Sequence, residues 1–355
     1  MKTLIVPFIL LLTFVFSCRE NDIDEGLEKN VNSVDLYISG AESNQACYWK
    51  NGQKIILPNG TGLYAHQIIV ENNNVYILGS KTSEYNFDLP SKHHYLWKNG
   101  NRYNLDEYLE DVPNPGPNSY FGINSKMIVE NGNVYFSGYI TIHNSSSTPP
   151  ITSYYSWKNG IKTLISNDSN VGFHSSYDLI NNEIYYSIRK NYQYNPLTWE
   201  TGFFKNNIYH SLANDSDVKS LHIDNSGTYA LIKNVMNNQK YLKNINTNAI
   251  IQLPPNPPGE ILDILWIDND KYYIGNIFYY KNNTLVQLND PNGYNIIGSF
   301  NVKNQQVYTI RYKAGSNIGD YAKVFINDVE FQNLTQVLTS TSDPNVGGLL
   351  SIFID

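Results

Sequence analysis

The sequence is poor in cysteine, in basic residues and in charge of either sign, and each scarcity excludes a class of protein. Two cysteines among 355 residues cannot build a disulfide-rich scaffold. Lys and Arg number 25 against 32 Asp and Glu, so the chain lacks the basic surface with which proteins bind DNA or RNA. Charged residues make up only 16% of the chain, and this disfavours long solvated helices.

Aromatic and apolar residues, by contrast, are abundant. The chain contains 29 Tyr and 14 Phe, and 41% of its residues are hydrophobic, which is enough material for a sizeable core. Because aromatic and β-branched side chains favour strands, the composition predicts an all-β protein.

The first residues read as a targeting signal. The stretch MKTLIVPFILLLTFVFSC has an apolar run from Leu4 to Phe16 that is too short for a membrane span. It resembles the signal peptide of bacterial lipoproteins, with VFSC as the lipobox. The resemblance implies that residues 1–17 are removed and that the thiol of Cys18 carries diacylglycerol, whose acyl chains would hold the protein on a membrane. The alternative is an ordinary secretory signal that happens to contain a cysteine.

Residues 18–33 are expected to form an acidic flexible tether. After Cys18 the sequence RENDIDEGLEKNVNS is polar and has no apolar periodicity. Arg19 stands where lipoproteins of the inner membrane commonly have Asp, so the resemblance implies the outer membrane or the cell surface. Charged linkers also serve solubility alone, so the side of the membrane that the domain faces stays open.

One unit recurs seven times along the rest of the chain. Its first half is an apolar strand, a tight polar turn and a second strand that carries Tyr, as in IIVENNNVYILG and MIVENGNVYFSG. The tyrosines of this column are Tyr37, Tyr76, Tyr135, Tyr185, Tyr229, Tyr273 and Tyr308. Such recurrence indicates a structural repeat rather than a catalytic motif.

In the second half of the unit an aromatic residue, Lys and Asn-Gly precede another strand, as in YWKNGQKIIL from Tyr48. The aromatic positions are Trp49, Trp97, Trp157, Phe204, Tyr280 and Phe325, with Leu242 as the exception, and the asparagines are Asn51, Asn99, Asn159, Asn206, Asn244, Asn282 and Asn327. Asn-Gly fits the two positive-φ positions of a type I′ turn between antiparallel strands. We expect the aromatic side chain to pack and the Lys to point to water; the alternative is a cation–π contact or a ligand site in every copy.

Each unit therefore has four strands, A to D, which is typical of a β-propeller blade. The repeats begin with a strand B (VDLYISG) and end with a strand A (GGLLSIFID), so the last strand would join the first three and close the ring. We predict an all-β, seven-bladed β-propeller of four-stranded blades over residues 34–355. The repeat resembles a family of membrane-anchored bacterial lipoproteins with WKNG-type propellers, and this resemblance implies no particular activity.

The two faces of such a ring differ in their loops. The short A–B and C–D turns lie on what we call the tight-turn face, and the B–C and D–A connections lie on the long-loop face. The long connections are 81–94, 106–124, 140–153 and 189–201, and shorter ones are PPNPPGE at 254–260 and TQVLTSTSDPNV at 335–346. Because loops on a rigid scaffold commonly bind ligands, we expect this face to bind a glycan or a protein.

Aromatic side chains in these connections are the candidate ligand-binding residues. They are Tyr85, Phe87, Tyr108, Tyr120, Phe121, Tyr192, Tyr194 and Trp199. The alternative is that these rings fold down and pack against their own loops.

No motif for catalytic or metal chemistry stands out. The seven His lack the spacing of metal ligands, and GxSxG, P-loop and dinucleotide-binding patterns are missing, so no metal or cofactor is predicted. The carboxylates Asp106, Glu107, Glu110 and Asp111 suit glycoside chemistry, although acids in an exposed loop are usually only solvated. The first hypothesis is a non-enzymatic recognition propeller. The alternatives are a glycosidase or lyase acting on extracellular polysaccharide and a structural partner within an outer-membrane complex.

Overall fold

The computed structural model of the chain describes residues 34–81, 94–112, 119–123, 126–143, 151–168, 171–180, 182–194, 197–224, 227–267, 269–313, 322–331 and 348–355. Seven antiparallel sheets stand as blades in a ring, with strand A of each at the centre and strand D at the rim. The predicted seven-bladed propeller is confirmed. The predicted signal peptide, the tether and Cys18 lie outside the described residues.

The strands follow the chain in the order A, B, C, D. Blade 1 contains β1 (Leu36–Glu42), β2 (Gln45–Lys50) and β3 (Gln53–Thr61), and blade 2 contains β4 (Tyr64–Glu71), β5 (Asn74–Ser80), β6 (His94–Lys98) and β7 (Asn101–Asn104). After the short helix α1 (Leu105–Tyr108), blade 3 contains β8 (Ser119–Ile123) and β9 (Ile128–Glu130), which share the strand A position, then β10 (Asn133–Ile142), β11 (Ile151–Lys158) and β12 (Ile161–Ser166).

The remaining blades are regular. Blade 4 contains β13 (Val171–Ile180), β14 (Glu183–Tyr194), β15 (Leu197–Lys205) and β16 (Ile208–Asn214), and blade 5 contains β17 (Ser216–Asp224), β18 (Gly227–Asn234), β19 (Lys240–Asn244) and β20 (Ile250–Ile251). Blade 6 contains β21 (Ile261–Ile267), β22 (Asp270–Gly275), β23 (Phe278–Lys281) and β24 (Thr284–Gln287). Blade 7 contains β25 (Tyr294–Lys303), β26 (Gln306–Lys313), β27 (Ala322–Ile326) and β28 (Val329–Glu330), and β29 (Gly348–Ile354) returns to blade 1.

The ring closes as the sequence predicts, because β29 is strand A of blade 1. It pairs antiparallel with β1, with Leu36 opposite Ile354 and Ser39 opposite Ser351. A Cβ atom at Gly40 would overlap the backbone oxygen of Gly348, so this position of strand B requires glycine for the close approach of strand A.

The core lies between the blades. Seven clusters of buried side chains occur among the described residues, and each joins two neighbouring blades. Trp97 of blade 2, for example, is fully buried and packs in the same cluster as Leu57 of blade 1. A blade thus buries its apolar faces only against its neighbours, which is why the closed ring matters for stability.

The aromatic position of strand C also forms a hydrogen bond to the preceding blade. Each donor reaches a backbone oxygen in strand D or in the connection that follows it. The pairs are Trp97 Nε1 to Pro58 O (3.0 Å), Trp157 Nε1 to Glu110 O (3.1 Å), Tyr280 Oη to Pro255 O (3.3 Å) and Lys243 Nζ to Leu212 O (2.8 Å). Packing and this hydrogen bond together give the position its structural role.

The asparagine of WKNG continues the B–C ladder past the end of strand C. The Asn99 side chain accepts the Val75 N–H at 2.9 Å, and the Asn99 N–H donates to Val75 O at 2.9 Å. The same side-chain contact is made by Asn51, Asn159, Asn282 and Asn327. These asparagines have φ between 47° and 56°, as the first central position of a type I′ turn requires.

The lysine of WKNG differs from the expectation, because in five blades its ammonium lies over the ring of the strand B tyrosine. The pairs are Lys50 with Tyr37, Lys98 with Tyr76, Lys158 with Tyr135, Lys205 with Tyr185 and Lys281 with Tyr272, at 5.1 to 5.8 Å from the ring centroid. The side chain covers the tyrosine and keeps its charge near water. A cation–π contact thus occurs in five copies, whereas the alternative supposed it in every copy.

Pairing register also corrects three positions in the less regular copies. In blade 6 the tyrosine opposite the lysine is Tyr272, one residue before the expected Tyr273. In blade 5 the aromatic position is taken by Lys243, opposite Ala230, rather than by Leu242. The Thr228 N–H there is accepted by Asn246 rather than by Asn244. A longer C–D turn in blade 5 shifts the motif, and side-chain periodicity alone cannot detect such a shift.

The described parts of two expected long loops are mainly extensions of strands. In blade 4, residues 189–194 belong to β14 and residues 197–201 to β15, and these two segments pair as a β-ribbon. In blade 3, Thr141 pairs with Thr152 in the same way. These ribbons stand on the long-loop face. No helix among the described residues is long and apolar enough to cross a membrane.

Candidate functional site

Among the candidate aromatic residues, the structure describes the side chains of Tyr108, Phe121 and Trp199. Tyr85 and Phe87 lie outside the described residues. Tyr120 belongs to β8, and Tyr192 and Tyr194 belong to β14, so these three stand on strands rather than loops. Nothing is described of their side chains, and their role in binding stays a prediction.

Tyr108 is partly buried. It ends α1, its ring contacts Phe136 edge-on at 6.5 Å and Tyr103 at 5.7 Å, and it joins the cluster between blades 2 and 3. Phe121 is also buried, against Trp157 at 5.7 Å. Phe121 is therefore not exposed as expected and Tyr108 is only partly exposed, because the connection folds down over the junction between the blades.

Trp199 is buried as well, and only 5% of its surface is exposed. Its Nε1 donates to Ser216 O at 2.6 Å, and its backbone N–H donates to the Asp215 carboxylate at 3.2 Å. The Arg189 guanidinium lies over its ring at 4.6 Å. Trp199 is therefore a packing residue that fixes blade 4 to the start of blade 5 and supports Arg189.

Arg189 leads to a charged triad on the long-loop face. Its guanidinium contacts Asp217 at 2.6 Å, and Lys219 contacts the same carboxylate at 3.5 Å. Asp217 is held near the start of β17 and is almost buried. We call Arg189, Asp217 and Lys219 the first triad.

A second triad lies one strand away, in blade 5. Lys240 Nζ is 2.6 Å from the Glu260 carboxylate, and Lys233 Nζ is 3.2 Å from the same oxygen. Lys233 ends strand B and Lys240 begins strand C, while Glu260 immediately precedes strand A of blade 6. We call Lys233, Lys240 and Glu260 the second triad.

The two triads are neighbours because of strand register. Asp217 of β17 is directly opposite Lys233 of β18, and opposed residues of an antiparallel pair point to the same side of the sheet. The charge on Lys219 also reaches Lys240 and contributes to its pKa. Four cations and two carboxylates thus form one continuous cluster across blades 4 to 6.

A cavity of about 470 Å³ opens beside the second triad. It lies between the B–C turn of blade 5 and the connection to blade 6, so it belongs to the long-loop face. Its walls combine charge, amides and apolar rings: Lys233, Asn238, Lys240, Gln252, Leu253, Pro254, Pro257, Gly259, Glu260 and Ile261. Such a volume and such a mixture of polar groups suit a small ligand or one unit of a polymer.

The wall of this cavity is held in place before any ligand arrives. Tyr280 of blade 6 donates to Pro255 O at 3.3 Å. Lys240 Nζ donates to the backbone oxygen of Ile261. Pro254 and Pro257 restrict the backbone further, since proline fixes φ. Pre-organisation of this kind lowers the entropy lost on binding.

Burial and charge act oppositely on the second triad. Burial destabilises the ammonium of Lys240 and lowers its pKa despite the attraction of Glu260, and the charges of Lys233 and Lys219 lower it further. Hydrogen bonds from Lys240 and Lys233 hold the pKa of Glu260 below its ordinary value. The carboxylate is therefore ionised at neutral pH. Its single negative charge does not balance the two lysines of the triad.

Another cavity, of about 380 Å³, lies between blades 3 and 4 towards the tight-turn face. Tyr135, Thr163, Asn182, Phe204 and Asn206 are among its lining residues. It offers hydroxyl and amide groups together with Lys158. It serves below as a control position on the opposite face.

The carboxylates considered for catalysis are partly used for structure. Asp111 pairs with Lys162 at 2.8 Å, and Glu110 accepts the Lys162 backbone N–H at 3.0 Å. Both contacts tie the segment after α1 to blade 3. Within the described residues no three His, Cys, Asp or Glu are grouped so that they could hold a metal ion.

Neither a protein-family model nor a curated protein matches the chain. Among solved structures it is similar to the computationally designed protein Ika8 (11% identity, 81% of this chain and 79% of that chain, TM-score 0.42). It is also similar to apo AztD from Citrobacter koseri (10%, 90% and 98%, 0.36). A third is the extracellular domain of BT4673, described as a one-component system, from B. thetaiotaomicron (12%, 79% and 51%, 0.31). All three TM-scores are below 0.5, so these likenesses carry no functional information for this chain.

The sequence predicts that the long-loop face binds a ligand, but it does not predict this cavity. Loop length and aromatic content point to other connections, whereas the cavity is built on the short PPNPPGE connection. A usable signal was the charge around that connection, because Lys233 and Lys240 flank the B–C turn of blade 5 and Glu260 closes the proline run. The sequence alone does not show that these three residues are in contact.

Proposed function

We propose that the protein is a non-enzymatic recognition propeller that is anchored to the outer membrane or cell surface through lipid on Cys18. It binds a glycan or a protein through its long-loop face. The membrane holds the domain, the closed ring supplies a rigid frame, and the connections on one face present the binding groups.

The cavity beside Lys240 is the observation that carries this proposal. It lies on the long-loop face, has a pre-formed wall, and presents charged and amide groups together. A small number of polar groups in a pre-formed pocket is enough to orient a bound ligand.

An enzyme of the glycosidase or lyase class is less well supported by this site. A glycoside hydrolase needs a carboxylic acid whose pKa is raised. The pKa of Glu260 is instead lowered by its two lysines, which suits a charge that organises a site rather than a proton donor.

The test is a binding screen of the full chain, purified in mild detergent, against glycans and envelope or host proteins, with hydrolysis products measured in the same wells. The pocket variant Gln252→Trp fills the cavity, and Thr163→Trp fills the cavity of the opposite side as a matched control. We expect capture without turnover, reduced by Gln252→Trp and unchanged by Thr163→Trp. Turnover of a glycan, or equal capture by both variants, would contradict the proposal.

A further inference from the structure

We infer that the cavity beside the second triad binds an anionic saccharide, a sugar that carries a carboxylate or a sulfate. This inference rests on the proposed function, because it names the ligand chemistry of the same site. It follows from the local charge, from the polar groups of the wall and from the position of Glu260.

The local charge is opposite in sign to that of the chain. The protein has a formal net charge of −7, but the two triads hold four cations, Arg189, Lys219, Lys233 and Lys240, and two carboxylates, Asp217 and Glu260. An acidic protein that gathers ammonium groups around a cavity attracts an anion there and repels it elsewhere. Lys240 is mostly buried, at 11% side-chain exposure, so its charge is screened less by solvent.

The wall suits a sugar ring better than a peptide. Asn238 and Gln252 offer amides that both donate and accept hydrogen bonds, as the neighbouring hydroxyls of a sugar require. Leu253, Pro254 and Pro257 add apolar surface for the C–H face of a ring. The lining residues belong to the B–C turn of blade 5, to the connection to blade 6 and to the ends of the adjoining strands. A peptide that binds by adding a strand needs a longer free strand edge than these ends offer.

Glu260 occupies the position that a ligand anion would take between Lys233 and Lys240. A carboxylate or sulfate entering the cavity therefore competes with Glu260 for the two ammonium groups. Removing the charge of Glu260 should strengthen anion binding, whereas removing the charge of Lys240 should weaken it. Loss of structure alone cannot produce such opposite effects.

The experiment measures binding of trigalacturonic acid, its methyl ester and a sulfated chondroitin disaccharide to the full chain by calorimetry. The variants are Lys240→Met, Lys233→Met, Glu260→Gln and the control Lys54→Met, whose ion pair with Glu42 lies in blade 1. We expect the acid to bind at least about tenfold more tightly than the ester, Lys240→Met and Lys233→Met each to weaken acid binding about tenfold, and Glu260→Gln to tighten it about threefold. Lys54→Met should leave binding unchanged, and added salt should weaken the acid but not the ester.

Equal affinity for acid and ester, or Glu260→Gln without tighter binding, overturns the inference. The inference is also overturned if poly-glutamate binds through Lys240 while neither anionic saccharide binds. If a neutral glycan or a protein binds the long-loop face independently of Lys240, the proposed function stands and the anionic saccharide is wrong. If no ligand of the screen binds that face, both are wrong. If Lys240→Met fails to fold, Lys233→Met and Glu260→Gln still decide the outcome.

Discussion

Gly160 and Gly100 provide a matched pair for testing how the segment after α1 stabilises the ring. Both are the glycine of a WKNG turn, with φ of +85° and +79°. Replacing either with Ala places a side chain in the left-handed region, which costs about 1–2 kcal/mol. A Cβ at Gly100 meets nothing within 4 Å, whereas a Cβ at Gly160 would overlap the backbone oxygen of Tyr108.

Tyr108 has little freedom to move away. Glu110 N donates to Gly160 O at 2.8 Å, and Trp157 Nε1 donates to Glu110 O at 3.1 Å. Relieving the overlap must therefore shift buried groups, which costs about 1–3 kcal/mol more. We expect Gly100→Ala to destabilise the protein by about 1–2 kcal/mol and Gly160→Ala by about 2–5 kcal/mol.

Urea unfolding of the full chain, followed by tryptophan fluorescence, gives the comparison through the two midpoints. Far-UV circular dichroism of the folded variants checks that the sheets are kept. Equal shifts of the two midpoints would refute the reasoning, because they would show that the segment after α1 does not press on the turn of blade 3.

Deleting residues 348–355 should abolish cooperative unfolding, since it removes strand A of blade 1 with the buried Leu349, Ile352 and Ile354; an unchanged urea transition would contradict ring closure. Trp199→Ala should destabilise the fold by about 3–5 kcal/mol, because the ring is buried. Unaltered stability would show that Trp199 is not a packing residue. Burial raises the pKa of the Cys47 thiol to about 12, so at pH 8 the thiol stays protonated and a thiol-reactive dye should label the Cys18→Ser chain only in urea. Rapid labelling of that folded chain would contradict the burial. Cys18→Ser should also move the protein from the membrane fraction to the soluble one, and full retention on membranes would refute the lipid anchor.

The site shows where sequence reasoning fails. Trp199 and Tyr108 lie in long polar connections, for which the sequence predicts exposure. In the folded protein Trp199 is buried and Tyr108 is partly buried, because these connections cross a junction between blades. The sequence does not single out Lys240 and Glu260, because a lone lysine and a lone glutamate have no distinguishing pattern. Their relation exists only after blade 5 and blade 6 pack.

The repeat by itself determined the blades, their number, the type I′ turns and the closing strand, because these depend on local propensity and on periodicity within one unit. Register in the irregular copies, such as Tyr272 and Lys243, needed the paired strands, since a shift of one residue leaves the composition of a strand unchanged. The triads, the cavity and the burial of Trp199 were decided only by tertiary structure. They arise where different blades meet, and contacts between residues that are distant in the chain leave no periodic signal in the sequence.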